Sequence, residues 1–248
     1  MNTDKNDMIK EILPSEQKMD LYWTHRSASY SQLNRRELRS RERHAWEALL
    51  FDGVEERRPL HILDIGAGPG FFSILCAGRG HIVTAADMNA EMIKQAEENA
   101  RTAGADIRFV QVGHTLPFAR ESFDVIVSRN VTWALPQPEA ALRAWGALLR
   151  KGGLLRYFDA EWYNYLAETP VSAAEIRLGS YSRANEMEKL ALSLPMTYRR
   201  RPKWDRAFWQ AEGFTVDVRE NLNPLVYSRE DQEYYRNFPL FMASVSRK

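Results

Sequence analysis

Apolar residues in the middle of the chain fall into short runs with helical spacing between them. Ile62, Leu63 and Ile65 make the run of a strand covered on both faces. His81–Ala86 repeats it, and further strands are read near Phe109, Val125 and Leu155. Helices are expected at Phe71–Ala77 and Asn89–Thr102, and strand alternating with helix is the pattern of a parallel sheet. Phe214–Arg219 alternates as a sixth strand and Leu240–Ser246 reads as a seventh, with a helix beginning near Trp204 ahead of them. Upstream, Met1–Arg58 reads as a charged helical cap. Within it Arg35–Leu50 carries Leu38, Ala45, Trp46, Leu49 and Leu50 at the spacing of one amphipathic helix, and Pro59 marks the exit. No repeat or low-complexity tract is visible.

The first strand runs into Gly66, Gly68 and Gly70, a turn whose backbone can take positive φ and approach a ligand closely. Its spacing differs from the dinucleotide fingerprint, in which the third glycine lies one residue further on. Asp64, just ahead, offers a carboxylate to a ligand's cationic end. Read alone, the triplet is also compatible with a plain strand-to-helix turn. The second strand ends at Asp87, where a carboxylate can accept hydrogen bonds from both hydroxyls of a ribose. Asp87 could instead cap the next helix, but Asn89 is better placed for that.

Bulk properties narrow the picture further. A chain of 248 residues suits one α/β domain with an elaboration, and a formal charge of +1 sets up no global field for nucleic acid or an anionic membrane. No apolar run reaches membrane-spanning length and no export signal is read, so a cytoplasmic protein without membrane insertion is expected. The single cysteine, Cys76, excludes an intramolecular disulfide and argues against a cysteine-based metal site; no metal is expected.

Taken together, LDIGAGPG (Leu63–Gly70), Asp87-Met88, FDVIVSRNVTW (Phe123–Trp133) and LLRKGGLLRYFD (Leu148–Asp159), with its Lys151-Gly152-Gly153 turn, resemble the class I S-adenosylmethionine-dependent methyltransferases. The branch it looks like is that of the ubiquinone/menaquinone and other small-molecule methyltransferases. The resemblance covers roughly Tyr22 to Asp159 and returns for the last strands. It implies a three-layer Rossmann-like α/β fold with a seven-stranded, mostly parallel sheet whose last strand inserts antiparallel between the fifth and sixth. It also implies residues 1–58 as a helical cap and residues 59–248 as the methyltransferase core, with a lid insertion at about 160–203.

By the same resemblance, S-adenosyl-L-methionine is the cofactor and S-adenosylhomocysteine the product. The implied cofactor residues are Tyr30, Asp64, Gly66, Ala67, Gly68, Gly70, Asp87, Met88, Gly113, His114 and Asn130. Tyr30 belongs to YWTHRSASY (Tyr22–Tyr30), which looks like the segment that folds over the cofactor; Arg26 is set against its carboxylate or in a surface salt bridge. Relatives often carry Gly-Asp after the third strand. Here FVQVGHTLPF (Phe109–Phe118) has no Asp, so adenine recognition falls on Gly113 and His114.

Trp133, Trp162 and Tyr163 are candidates for the acceptor pocket, with plain packing as the competing reading. Trp162, Tyr163, Tyr165, Tyr181, Met187, Met196 and Tyr198 supply an aromatic and apolar lid between the fifth strand and the helix near Trp204. No histidine or carboxylate pair stands out as a general base. The resemblance implies methyl transfer to a small-molecule acceptor by in-line displacement, which can proceed without one, with an RNA or protein methyltransferase, or a non-catalytic cofactor sensor, as alternatives. The basic run Tyr198–Trp204 reads as a solvated turn, not as an RNA track.

Overall fold

The computed structural model describes residues 15–55, 58–113, 115–168 and 183–247. Two helices, α1 (Ser15–Arg39) and α2 (Arg43–Phe51), lead into β1 (His61–Ile65), α3 (Phe71–Gly78), β2 (Ile82–Asp87), α4 (Ala90–Ala103) and β3 (Ile107–Gln111). The chain continues through β4 (Phe123–Arg129), a 3-10 turn at Thr132–Ala134, α5 (Pro138–Leu148) and β5 (Leu149–Asp159). Then come α6 (Tyr165–Glu168), α7 (Arg183–Ala191), a 3-10 turn at Pro195–Tyr198, α8 (Lys203–Ala211), β6 (Thr215–Arg219), α9 (Asn223–Val226), α10 (Arg229–Tyr234) and β7 (Phe241–Ser246).

The seven strands form one sheet in the order β3-β2-β1-β4-β5-β7-β6, parallel except for β7, which runs antiparallel to both β5 and β6. Period-two alternation divides each central strand between two cores. In β4, Val125 and Val127 join Trp46, Phe72 and Phe158 on one face, while Ile126 joins Leu142, Trp145 and Trp209 on the other. Both faces are thus covered by helices, which is why β1 and β4 read as nearly unbroken apolar runs. A third, smaller cluster of Trp133, Met187, Leu190 and Leu194 lies under α1 against Met19, Tyr22, Trp23, Trp162 and Tyr163. No helix among the described residues is long and apolar enough to cross a membrane.

One local expectation is corrected. Arg35–Leu50 is not one helix, because the chain breaks between Arg39 and Arg43. The two parts bury different faces: α2 sends Trp46, Leu49, Leu50 and Phe51 into the sheet core, whereas α1 buries the polar Ser27, Ser31 and Asn34. One straight helix cannot serve both. The Lys151-Gly152-Gly153 turn lies near the start of β5, where pairing jumps from Phe123–Leu149 to Val125–Leu154. Gly152 takes φ 76° there, and a Cβ on Gly153 would meet Arg150 O at 2.9 Å.

Buried charge holds the frame. Arg156 of β5 donates to the carbonyls of Leu49, Leu50 and Asp52 at the end of α2 at 2.7, 2.9 and 2.9 Å, satisfying groups the helix leaves open. Burial draws its pKa down to about 10, so it stays charged at neutral pH. Burial pushes Asp124 up, but Arg58, the His61 N–H and Arg150 outweigh it and hold the carboxyl at about 2.

Candidate functional site

The C-terminal ends of β1, β2 and β4 open into a cavity of about 1150 Å³ roofed by α1. Beneath it, the Gly66 and Ala67 N–H groups donate to Ala86 O at 2.8 and 3.1 Å, pulling the turn after β1 against β2. Gly66 takes φ 65°, and a Cβ there would lie 2.2 Å from Val131 Cγ2. Only glycine fits. Gly68 takes φ 52° and faces the Tyr30 ring, with Tyr30 Cε1 3.5 Å from where its Cβ would be.

Two carboxylates face this turn. Asp64 is 2% exposed and accepts from Ser73 Oγ at 2.6 Å; burial raises its pKa to about 7, against the hydrogen bonds from Ser73. Asp87 accepts from Gly68 N at 2.8 Å through Oδ2 and from Asn89 N at 2.9 Å through Oδ1, and burial raises it as well. Each of its oxygens keeps a lone pair for a ligand hydroxyl. Asp87 therefore fastens the glycine turn as well as facing the cavity.

The roof is latched by two asparagines. Asn89 caps α4 by accepting from Met92 N, and its amide donates to Asp20 O, Asp20 Oδ1 and Thr24 Oγ1 of α1 at 3.1, 2.8 and 2.7 Å. Asn99 accepts from Arg35 Nε at 2.6 Å, donates to Ser31 Oγ at 3.0 Å and also donates to Pro69 O in the glycine turn at 2.9 Å. Polar side chains thus couple α1 to the two segments a ligand would touch.

Of the residues expected from the sequence, Tyr30, Asp64, Gly66, Ala67, Gly68, Asp87, Met88, Gly113 and Asn130 line this cavity. Gly70 does not: at φ 88° it starts α3 against α4, where a Cβ would lie 3.2 Å from Ala96 Cβ. His114 and Tyr181 lie outside the described residues. Trp133, Trp162 and Tyr163 are not among the lining residues. Trp133 Nε1 donates to Asn130 O, Trp162 Nε1 donates to Asp159 Oδ1, and Tyr163 packs on Trp133 with ring centroids 5.0 Å apart, so all three turn inward to the third cluster. Arg26 is exposed and lies away from the lining. In the basic run, Arg201 is buried in an ion pair with Asp159 and Asp205, which corrects its reading as part of a solvated turn.

Arg129 was not singled out by sequence, yet it lines the cavity at the tip of β4. Its Nη2 donates to both Glu37 oxygens at 3.1 and 2.8 Å, and its guanidinium lies 4.8 Å from the Trp46 and Phe71 ring centroids. Burial opposes its charge, but Glu37 outweighs burial and keeps the pKa above the ordinary value. Arg129 Nη1 and Asn130 Oδ1 are buried without a hydrogen-bond partner, a donor and an acceptor on consecutive residues. The available signal was a charge closing an apolar strand at the same sheet edge as Asp64 and Asp87.

Comparison with known proteins agrees with this geometry. Residues 63–157 match the family model described as a methyltransferase domain. Ubiquinone biosynthesis O-methyltransferase of Xylella fastidiosa is 32% identical over 117 residues, 45% of this chain and 48% of that protein. Arsenite methyltransferase of Halobacterium salinarum is 34% identical over 105 residues, 40% of this chain and 26% of that protein. The chain thus matches less than half the length of either curated relative. Among solved structures, the magnesium protoporphyrin IX methyltransferase of Synechocystis, with bound S-adenosylhomocysteine, superposes with a TM-score of 0.58 at 15% identity, covering 84% of this chain and 83% of that one, which shows the fold. Through residues 63–157, which match the methyltransferase-domain model, and through its sheet with the inserted antiparallel β7, the chain is similar to the class I S-adenosylmethionine-dependent methyltransferases.

Proposed function

We propose that the chain binds S-adenosylmethionine in this cavity and transfers its methyl group to a small-molecule acceptor, releasing S-adenosylhomocysteine. One observation carries the reading: Asp64, the Gly66–Gly68 turn and Asp87 converge on a single cavity of about 1150 Å³. Pockets for one drug-sized ligand run to roughly 300–1,000 Å³, so this volume suits a nucleoside cofactor with a second molecule beside it.

The residues present fit that cofactor. Asp87 offers lone pairs to the ribose hydroxyls, and the cradle at Gly66, too tight for a Cβ, lets backbone lie against the ligand. Asp64 and the unpaired Asn130 Oδ1 accept from an ammonium, and the unpaired Arg129 Nη1 donates to a carboxylate, matching the two ends of an amino-acid group. The Tyr30 ring beside Gly68 offers a face to a cation, a contact of about 0.5–2 kcal/mol depending on desolvation.

When bound, the cofactor supplies an electrophilic methyl on a sulfonium whose sulfur keeps the bonding pair as the acceptor lone pair attacks. The chain's own part is to orient, to exclude water and to hold the charge. Leu190, Ser193 and Leu194 reach the cavity from the connection after β5, which supports the 160–203 segment as a lid on the acceptor side. Calorimetry tests the reading. One molecule of S-adenosylhomocysteine per chain and no response to NAD are expected; the reverse would overturn it.

A further inference from the structure

A buried polar cluster lies beyond the cavity wall. Arg201 pairs with Asp205 through Nη2 and Nε at 2.6 and 2.9 Å, and its Nη1 sits 3.1 Å from Asp159 Oδ2. Its Nη2 also donates to Thr132 Oγ1 at 2.7 Å, and that hydroxyl donates to Asp159 Oδ2 at 2.5 Å. The relay has a fixed direction because a guanidinium can only donate, which commits the hydroxyl proton to the carboxylate. Asp159 Oδ2 accepts Trp133 N at 2.9 Å as well, so the 3-10 turn after β4 is held by both side chain and backbone.

The cluster also closes the root of the long connection. Trp162 Nε1 donates to Asp159 Oδ1 at 2.8 Å, and Arg201 N donates to Glu161 Oε1 at 2.6 Å. Both ends of the 160–202 stretch are thus tied to each other and to Thr132. Neither Arg201, Asp159 nor Thr132 lines the cavity, yet Asn130, Val131, Ala134 and Leu135 on either side of Thr132 do. Val131 in turn packs so closely on Gly66 that a Cβ there would lie 2.2 Å from its Cγ2.

We infer that Thr132 is a positioning residue: Arg201 and Asp159 fix it, it carries Val131, and Val131 seats the Gly66 turn against β2. The ligand named in this relay rests on the reading above; the relay itself does not. Close-packed interiors transmit small shifts, so a tip of β4 freed from the cluster loosens the turn without any direct contact. The root of the connection and the ligand turn therefore move as one unit.

The test uses the full chain with Thr132→Val, which keeps the shape and removes the hydroxyl, Thr132→Ser, which restores it, and Val131→Ala, which leaves the cluster intact. Amide exchange of the peptide containing Gly66 and Ala67 is followed without ligand, and each variant is titrated with S-adenosylhomocysteine per folded molecule. Thr132→Val is expected to speed that exchange at least fivefold and weaken binding about tenfold, Thr132→Ser to restore both, and Val131→Ala to reproduce the loosened turn. Unchanged exchange and affinity in Thr132→Val, with only the melting temperature lowered, would overturn the inference and leave the cluster purely structural. Should Thr132→Val fail to fold, unchanged exchange at the turn in Val131→Ala would overturn it equally. A wild-type chain that ignores S-adenosylhomocysteine would defeat the cofactor reading, while the exchange comparison would still decide the relay.

Discussion

Replacing Asp64 by Asn should stabilise the ligand-free protein, by an amount that depends on pH. The carboxyl is 2% exposed, and burial lifts its pKa from 3.8 to about 7. The folded state then binds more protons than the unfolded state between those values. The stability Asp64 contributes is complete below about pH 4 and is lost as pH rises to about 7. The difference of about 3 pKa units corresponds to about 4 kcal/mol at about 1.4 kcal/mol per unit, a ceiling because water drawn toward the ionised group relieves part of it. Asn carries no such penalty and can still accept from Ser73 Oγ. Urea unfolding of both proteins from pH 4 to 8.5 should show the variant gaining nothing at the acid end and up to about 4 kcal/mol above pH 7. Cofactor affinity should fall in the same variant, because the ammonium loses its anion. Parallel stability curves at every pH would show that Asp64 is not a buried, proton-holding group and would refute the argument.

Three further substitutions probe the turn and its roof. Gly66→Ala forces a Cβ onto Val131 at φ 65°, with overpacking alone costing about 1–3 kcal/mol, and should abolish S-adenosylhomocysteine binding; the double variant with Val131→Ala should regain part of the stability in thermal melts. Asp87→Ala leaves the Gly68 and Asn89 N–H groups without their acceptor, so it should lower unfolding stability by about 1–3 kcal/mol per stranded group in addition to weakening binding; undiminished affinity per folded molecule would show that the ribose is not met there. Asn99→Ala should release α1 and the Pro69 turn together, read as faster amide exchange in both segments, and exchange confined to α1 would argue against their coupling.

The frame was legible because its signals are local. Two-sided burial turns β1 and β4 into apolar runs, and the glycines after β1 announce a close backbone approach, so the strands were read from spacing and the antiparallel last strand from resemblance. What escaped depended on side chains from distant segments. Leu38, Ala45, Trp46 and Leu49 keep a helical period across residues 39–43, and nothing in that period says that α1 and α2 face different partners. Trp133, Trp162 and Tyr163 have the chemistry of pocket walls, but their N–H groups and ring faces are claimed by Asn130, Asp159 and one another. Arg201 sits in a run that looks solvated; Asp205 lies four positions on, but only the fold brings Asp159 to it. Arg129 was hidden for the same reason, since Glu37 lies 92 positions away.

A crystal structure of the chain with S-adenosylhomocysteine tests the central claim most directly. The ribose hydroxyls on Asp87, the backbone of Gly66–Gly68 against the ligand, and the amino-acid end among Asp64, Arg129 and Asn130 are the predicted result. A ligand bound elsewhere, or the same cavity filled by a dinucleotide with its pyrophosphate on the glycine turn, would contradict it.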